Sequence, residues 1–152
     1  MENKKDIVYV DMDDTLCDFN SAFISALHYN PSIRFPQSQL KFFENLDPII
    51  GAIEGYHKLK KDYDVRILTA PSVRNPLCYM EKRLWVEKHL GYDECNNLIL
   101  AQDKTALRGR YLVDDFMQYG AFKPEWEHIV FGSKLYPNWT AVLNYLLKDR
   151  YV

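Results

Sequence analysis

Acidic, hydroxyl and amine side chains follow four short apolar runs of the sequence, each at the point where the run ends. These runs predict buried β-strands, and in an open parallel sheet the carboxyl ends of the strands form the crevice in which ligands bind. We therefore expect several carboxylates, one hydroxyl and one ammonium to meet at one edge of a sheet. The side chains concerned are Asp11, Asp13, Thr69, Lys104, Asp114 and Asp115.

The chemistry that such a cluster supports is phosphoryl transfer assisted by a divalent cation. Crowded carboxylates repel one another unless a cation lies among them, and Mg²⁺ prefers carboxylate and phosphate oxygens. Asp11 is then expected to attack phosphorus and form an aspartyl-phosphate. Asp13 is expected to protonate the leaving alkoxide and later to deprotonate the hydrolytic water. We expect Thr69 to donate a hydrogen bond to a phosphate oxygen, and Lys104 to hold nucleophile and phosphate by its charge.

Each of these side chains also has an ordinary structural explanation. Aspartates after a strand commonly form turns or helix caps, which accounts for Asp11–Asp14 and for Asp114–Asp115. A threonine at a strand end is usually structural, and a lone lysine is usually solvated. The combination favours a functional site, because all of these residues occur in this order and each stands at a strand end.

The elements that must position these residues are those of an alternating βα chain. We predict an α/β fold with three layers around a central parallel sheet, a Rossmann-like arrangement. Near-continuous aliphatic runs predict fully buried strands at 7–10, 65–68, 98–100, 111–113 and 128–131. Amphipathic stretches predict helices at about 19–29, 51–62, 77–90 and 138–149, with Asn138 as an N-cap and Gly91 as a helix stop.

Residues 30–48 depart from this alternation. They contain three prolines and the aromatic pair Phe42–Phe43, and they separate the first helix from the second βα unit. We interpret them as a small cap insertion and residues 1–152 as a single domain. The sequence does not indicate whether the insertion moves as a lid.

Bulk properties exclude several classes of protein. The chain of 152 residues is 47% hydrophobic and 26% charged with a net charge of −2, which provides no basic excess for a nucleic-acid polymer. Its apolar runs are too short for a signal peptide or a membrane span. Three widely spaced cysteines favour free thiols and a cytoplasmic location over disulfides or a zinc site. The scattered histidines suggest no ligand set.

At these residues the chain resembles the phosphatases of the haloacid dehalogenase superfamily. Their Asp-x-Asp-x-Thr motif matches Asp11, Asp13 and Thr15, and their later motifs match Thr69, Lys104 and the Asp114–Asp115 pair. The resemblance narrows to the 5′(3′)-deoxyribonucleotidase family and covers essentially the whole chain outside the insertion. The matching stretches are DMDDTLCDF (11–19), FFENLDPIIGAIE (42–54), ILTAPS (67–72), CYMEKRLWVEKHLG (78–91), DKTALRGRYLVDD (103–115) and WEHIVFGS (126–133).

The resemblance implies roles for the acidic residues. Asp11 is the implied nucleophile and a Mg²⁺ ligand. Asp13 is the implied acid and base, and its backbone carbonyl is an implied ligand of the metal. Asp115 is the implied direct carboxylate ligand, supported by Asp114.

The resemblance also implies how the substrate binds. Thr69 and Lys104 match phosphate-binding positions, and Lys82 matches a lysine near the phosphate, although an exposed helix charge explains Lys82 equally well. Phe19 and Phe43 match aromatic residues that flank the nucleobase, a use suited to flat side chains, and core packing is the alternative.

Three departures from the family pattern stand out. Ala70 follows the second-motif threonine where relatives often carry serine, Asp14 stands where many have glycine, and the insertion is much shorter than the helical cap of the animal enzymes. The predicted function is Mg²⁺-dependent hydrolysis of (deoxy)ribonucleoside monophosphates, with a homodimer as a candidate assembly. The alternatives are a phosphatase for another small phosphate ester, a catalytically silent nucleotide-binding relative and a receiver-like phospho-acceptor domain, the last disfavoured by Asp13.

Overall fold

The structure is a computed structural model, which describes residues 4–116 and 125–148. Within this part of the chain, five strands form one parallel sheet in the order β3-β2-β1-β4-β5. The prediction of an α/β fold with a central parallel sheet is confirmed. The strands are β1 (Ile7–Val10), β2 (Asp64–Thr69), β3 (Leu98–Leu100), β4 (Tyr111–Asp114) and β5 (Glu127–Val130).

The two outer strands are less buried than the sequence predicts. Leu98 and Ile99 of β3 are half-buried and Leu100 is 37% exposed, and β5 ends at Val130, before the predicted Phe131. Strands are present at both predicted places, β3 with the predicted bounds and β5 shifted by one residue, but the prediction that they are fully buried was wrong. Both strands lie at edges of the sheet, where one neighbour is missing and fewer side chains cover the surface.

Among the described residues, four α-helices accompany the sheet, and their ends follow local sequence signals. Asp18 and Asn138 accept hydrogen bonds from backbone N–H groups in the first turns of the helices that follow them, and Gly91 ends another helix with φ +105°. The last helix stops at Leu146, and position 149 of its predicted span lies outside the described residues. The helices are α1 (Phe19–Tyr29), α2 (Ala52–Lys60), α3 (Pro76–Leu90) and α4 (Trp139–Leu146).

The core divides between the two faces of the sheet because alternate residues of a strand point to opposite faces. Val8 and Val10 join a large cluster with apolar residues of α2, α3 and α4, whereas Tyr9 joins a smaller cluster with Leu112 and Trp126. None of the helices among the described residues has the length and apolar character needed to cross a membrane.

Gly55 of α2 lies directly against Trp139 of α4. A Cβ atom at this position would stand 2.6 Å from Cε3 of Trp139, closer than carbon atoms can pack. We expect Gly55→Ala to lower the free energy of unfolding by about 1–3 kcal/mol through overpacking. Helix propensity alone would predict the opposite change, because Ala normally stabilises a helix interior relative to Gly. Urea denaturation measures it, with the exposed His57→Ala of the same helix as control, and an unchanged midpoint for Gly55→Ala would contradict the packing.

Candidate active site

The carboxyl ends of the strands open into a cavity of about 510 Å³. The cavity is lined by strand-end residues from β1, β2 and β4 and by the turn that follows β3. All six strand-end residues singled out in the sequence line it, together with several that were not. The lining residues are Asp11, Asp13, Asp14, Thr69, Ala70, Gln102, Asp103, Lys104, Thr105, Asp114, Asp115 and Phe116.

Lys104 joins the first and fourth strands by two ion pairs. Its Nζ donates to Oδ1 of Asp11 at 2.6 Å and to Oδ2 of Asp114 at 2.7 Å, and all three side chains are buried. Burial disfavours the Lys104 ammonium, but attraction by Asp11 and Asp114 outweighs this and raises its pKa. Burial raises the pKa of Asp11, and the nearby ammonium opposes that rise. The prediction that Lys104 holds Asp11 by charge therefore has a direct geometric basis.

Three carboxylates meet at the floor of the cavity. Oxygens of Asp11, Asp114 and Asp115 all lie within 4.8 Å of one another. Burial, followed by repulsion from Asp114, raises the pKa of Asp115 to about 6. Asp114 is already engaged, since Oδ2 accepts from Lys104 and Oδ1 accepts the N–H of Phe116. A hard divalent cation fits this oxygen donor set, with Asp11 and Asp115 as the better placed side-chain ligands.

The side chain of Asp13 lies apart from that cluster and has its own partners. Oδ2 accepts a hydrogen bond from Nζ of Lys82 at 2.9 Å, and Oδ1 accepts one from Sγ of Cys17 at 3.6 Å. Burial raises the pKa of the Cys17 thiol, which keeps it a donor. Asp13 keeps 32% of its side chain exposed and lines the cavity, so its carboxyl group faces both its donors and the space where a substrate would lie.

Lys82 is buried and donates two hydrogen bonds, so it is not the exposed helix charge that the alternative explanation assumed. Its side chain is 1% exposed, and Nζ donates to Asp13 and also to Oγ1 of Thr69 at 2.9 Å. Burial disfavours the ammonium, but the attraction and hydrogen bond of Asp13 together with the weaker effects of Cys17 and Asp11 outweigh burial, so the pKa of Lys82 is raised. Because Oγ1 of Thr69 already accepts a hydrogen bond, the hydroxyl hydrogen remains available to donate towards the cavity. Lys82 thus joins the first-motif acid to the second-motif threonine.

The loop after β1 is held by its own backbone and by a distant helix. The carbonyl of Met12 accepts the N–H groups of Thr15, Leu16 and Cys17, and Nε1 of Trp139 donates to the carbonyl of Thr15 at 2.9 Å. These bonds turn the chain sharply, so that alternate first-motif acids reach the cavity.

Asp14 occupies a left-handed backbone position, with φ +59°. Its carboxylate accepts the N–H of Asn20 at 2.8 Å. Left-handed backbone favours glycine, and aspartate is among the few other residues that tolerate it because its side chain can bond locally. The geometry thus explains how this chain can carry aspartate at a position for which the family resemblance implies glycine.

The two aromatic residues matched to base-flanking positions pack together beside the cavity and do not line it. The rings of Phe19 and Phe43 are stacked with centroids 5.9 Å apart, and Phe43 is 5% exposed. Their base-binding role stays a prediction. Phe116, which the sequence did not single out, contributes an aromatic ring to the lining.

Two polar residues that hold loops near the site were also missed: Gln102, which is exposed, and Glu81, which is buried. Gln102 donates to the carbonyl of Pro71, which ties the turn after β3 to the end of β2. Glu81 is a charged residue within the predicted helix at 77–90, yet it is 1% exposed, and its carboxylate accepts backbone N–H groups of the insertion. No local signal distinguishes either from a solvated side chain.

The sheet carries paired acids after its first strand and a threonine at the end of its second, and a lysine joins the first of those acids to an acid at the end of the fourth strand. This arrangement defines a phosphatase of the haloacid dehalogenase type. The profile of one family within that class, described as 5′ nucleotidase, deoxy (pyrimidine), cytosolic type C protein, matches residues 26–134.

Individual relatives agree with the profile. A protein of Vibrio phage KVP40, named as a candidate 5′(3′)-deoxyribonucleotidase, is 36% identical over 95% of this chain and 86% of its own length. A Bordetella pertussis protein of the same name is 33% identical over 84% of this chain and 83% of its own. The human cytosolic 5′(3′)-deoxyribonucleotidase is 38% identical over 59% of this chain and 47% of its own. The chain belongs to the 5′(3′)-deoxyribonucleotidase family and is a phosphoric monoester hydrolase.

Proposed function

We propose that this protein is a Mg²⁺-dependent phosphomonoesterase that hydrolyses (deoxy)ribonucleoside monophosphates to nucleoside and phosphate. The observation that carries the proposal is the Asp11 carboxylate, buried at the cavity floor, bonded to Lys104 and close to Asp115. The names of the relatives supply the substrate class. We further propose that residues 1–152 act as one cytoplasmic domain, with 30–48 as its cap.

Asp11 carries the covalent step of this proposal. A carboxylate oxygen of Asp11 forms a bond to phosphorus while the bond from phosphorus to the nucleoside oxygen breaks, and the carboxyl proton of Asp13 passes to that oxygen. Asp13, now a carboxylate, then takes a proton from water as the water oxygen bonds to phosphorus. The bond from phosphorus to Asp11 breaks, which releases phosphate and restores both side chains.

The donors around the cavity hold the transferred group. The Thr69 hydroxyl and the ammonium groups of Lys82 and Lys104 surround the space between Asp11 and Asp13, where they can balance the charge of the phosphoryl oxygens. A divalent cation bound there would neutralise part of the phosphate charge and orient it for in-line attack. The residues that would hold it are Asp11, Asp115, the Asp13 backbone carbonyl and, in support, Asp114.

One observation favours a second candidate, a phosphatase for another small phosphate ester. Phe19 and Phe43 face each other rather than the cavity, so in this arrangement they do not form the walls of a base site. A substrate with a smaller group than a nucleoside would use the same phosphate chemistry without them.

A substrate panel tests both candidates. We expect the purified protein with Mg²⁺ to release phosphate from dUMP or dTMP faster than from purine deoxynucleotides, nucleoside 3′-phosphates or sugar phosphates. EDTA should stop release and added Mg²⁺ should restore it, because the clustered carboxylates need a cation to coexist near phosphate. A colorimetric phosphate assay measures each rate.

The variant Asp115→Asn tests the metal requirement at a single candidate ligand. It removes one candidate ligand charge and should raise the Mg²⁺ concentration needed for half-maximal activity. Faster release from sugar phosphates than from any nucleotide would favour the second candidate, and full activity in EDTA would contradict the role of the metal.

A further inference from the structure

Glu81 of α3 is a buried carboxylate that the proposed chemistry does not use. Its Oε1 accepts the backbone N–H of Lys41 at 2.5 Å, and its Oε2 accepts the backbone N–H of Phe43 at 2.9 Å. The side chain is 1% exposed, so these two hydrogen bonds replace its contact with water. A buried carboxylate with both oxygens committed to another segment holds that segment firmly, since hydrogen bonds to charged groups are among the strongest in proteins.

The segment that Glu81 holds is a strained turn of the insertion. Lys41 has φ +65°, a left-handed conformation unfavourable for a lysine, and such a turn directs backbone N–H groups to one side, where they bind an anion. One helical turn after Glu81, Nε1 of Trp85 donates to the carbonyl of Leu46 at 2.8 Å. Helix α3 is therefore joined to residues 41–46 by three hydrogen bonds along one buried face.

These three hydrogen bonds place an aromatic ring against a lysine of the active site. The Phe43 ring lies 5.1 Å from Nζ of Lys82, the residue that follows Glu81 in the helix. That ammonium donates to Asp13 and to Thr69. A ring over an ammonium attracts it and keeps water away, and the exclusion of water strengthens the hydrogen bonds that Lys82 makes to Asp13 and Thr69. Glu81 is thus linked to the reacting groups through Phe43 and Lys82.

We propose that Glu81 is a positioning residue of the active site, which holds the turn at 41–43 so that Phe43 covers Lys82 and Lys82 holds Asp13 and Thr69 in place. This inference rests on the proposed phosphomonoesterase function. It makes the part of the insertion that touches α3 a fixed support behind Lys82, outside the cavity lining, since its contact with α3 is needed in every step.

The first test compares two buried carboxylates. Glu81→Gln keeps the shape of the side chain, but a neutral amide can offer only one oxygen to the two N–H donors. Glu94→Gln is the matched control, because Glu94 is also buried and accepts hydrogen bonds from Tyr56 and Asn97 but does not touch the insertion. We expect Glu81→Gln to lower kcat for dUMP per folded molecule by about tenfold to a hundredfold, as a small misplacement of catalytic groups does. Glu94→Gln should lose stability with kcat unchanged.

A double-mutant cycle tests the route through Phe43. Phe43→Leu alone should also lower kcat, and the double variant Glu81→Gln with Phe43→Leu should be no slower than the worse single variant, because both remove the same cover from Lys82. Losses that multiply would overturn the inference, as would a Glu81→Gln enzyme with the wild-type kcat. A wild-type protein that releases no phosphate from any ester would overturn the proposed function as well.

Limited trypsin digestion gives a readout that does not depend on activity. We expect cleavage after Lys41 to be slow in the wild type and in Glu94→Gln and fast in Glu81→Gln. If Glu81→Gln fails to fold, Glu81→Asp replaces it, since this variant keeps the charge but is one methylene too short to reach both N–H groups. Equal protection of Lys41 from trypsin in the wild type and in the Glu81 variant would show that Glu81 does not hold this turn, and it would overturn the inference.

Discussion

Asp11→Asn should abolish turnover while leaving the protein folded. The amide oxygen of asparagine is a poor nucleophile towards phosphorus, so the covalent intermediate cannot form. The amide has nearly the same shape as the carboxylate and can still accept a hydrogen bond from Lys104, whose second partner Asp114 is untouched. The measurement is phosphate release from dUMP, together with thermal denaturation to confirm that the variant is folded.

The matched control for this variant is Asp18→Asn, which makes the same chemical change outside the cavity. Asp18 caps α1 by accepting the N–H of Ser21, a role that asparagine performs equally well, so activity should be close to that of the wild type. Mass spectrometry of enzyme quenched during turnover should find a phosphoryl group on the Asp11 peptide of the wild type and none in Asp11→Asn. Turnover that survives in Asp11→Asn would exclude covalent catalysis by this residue.

Asp13→Asn should lower kcat by about a hundredfold to ten-thousandfold, the usual contribution of a general acid or base. The amide can no longer give a proton to the leaving oxygen or take one from water. The geometry adds a second consequence. Lys82 donates to Oδ2 of Asp13 and to Oγ1 of Thr69, so the variant replaces its anionic acceptor by a neutral amide. Steady-state kinetics with dUMP measures the loss.

The neighbouring Asp14→Asn is the control, since asparagine tolerates a left-handed backbone and can still accept the N–H of Asn20. Its kcat should stay within a few-fold of the wild type. A phosphate ester with a nitrophenol leaving group needs less proton donation, so Asp13→Asn should form the phosphoenzyme from it and then hydrolyse it slowly. If phosphorylated Asp11 does not accumulate with that substrate, Asp13 is not the base of the second step.

Much of the site could be predicted from the sequence, because the strand-end positions follow from local patterns. A buried strand appears as a short aliphatic run, and the residue after it must lie at the end of the sheet. That reasoning predicts that Asp11, Thr69, Lys104, Asp114 and Asp115 meet in one crevice, and the cavity lining agrees with it. Capping residues such as Asn138 act within a few positions of chain and could be predicted for the same reason.

The tertiary structure alone decided which elements lie side by side. In this sheet β1 lies between β2 and β4, and both of these strands are many residues away from β1 in the chain. No local pattern therefore reveals that β3 and β5 are the edge strands. The prediction of buried strands failed at those two for this reason.

The same limit applies to charged residues on helices. Glu81 and Lys82 have the sequence character of solvent-facing positions, yet both are buried, because their partners come from the insertion and from the first two strands. Helical periodicity shows which residues share a face, but the energy of burying a charge depends on donors and acceptors elsewhere in the chain. The sequence by itself was enough to propose the reacting groups of this protein, and only the folded chain decided which polar side chains contact them.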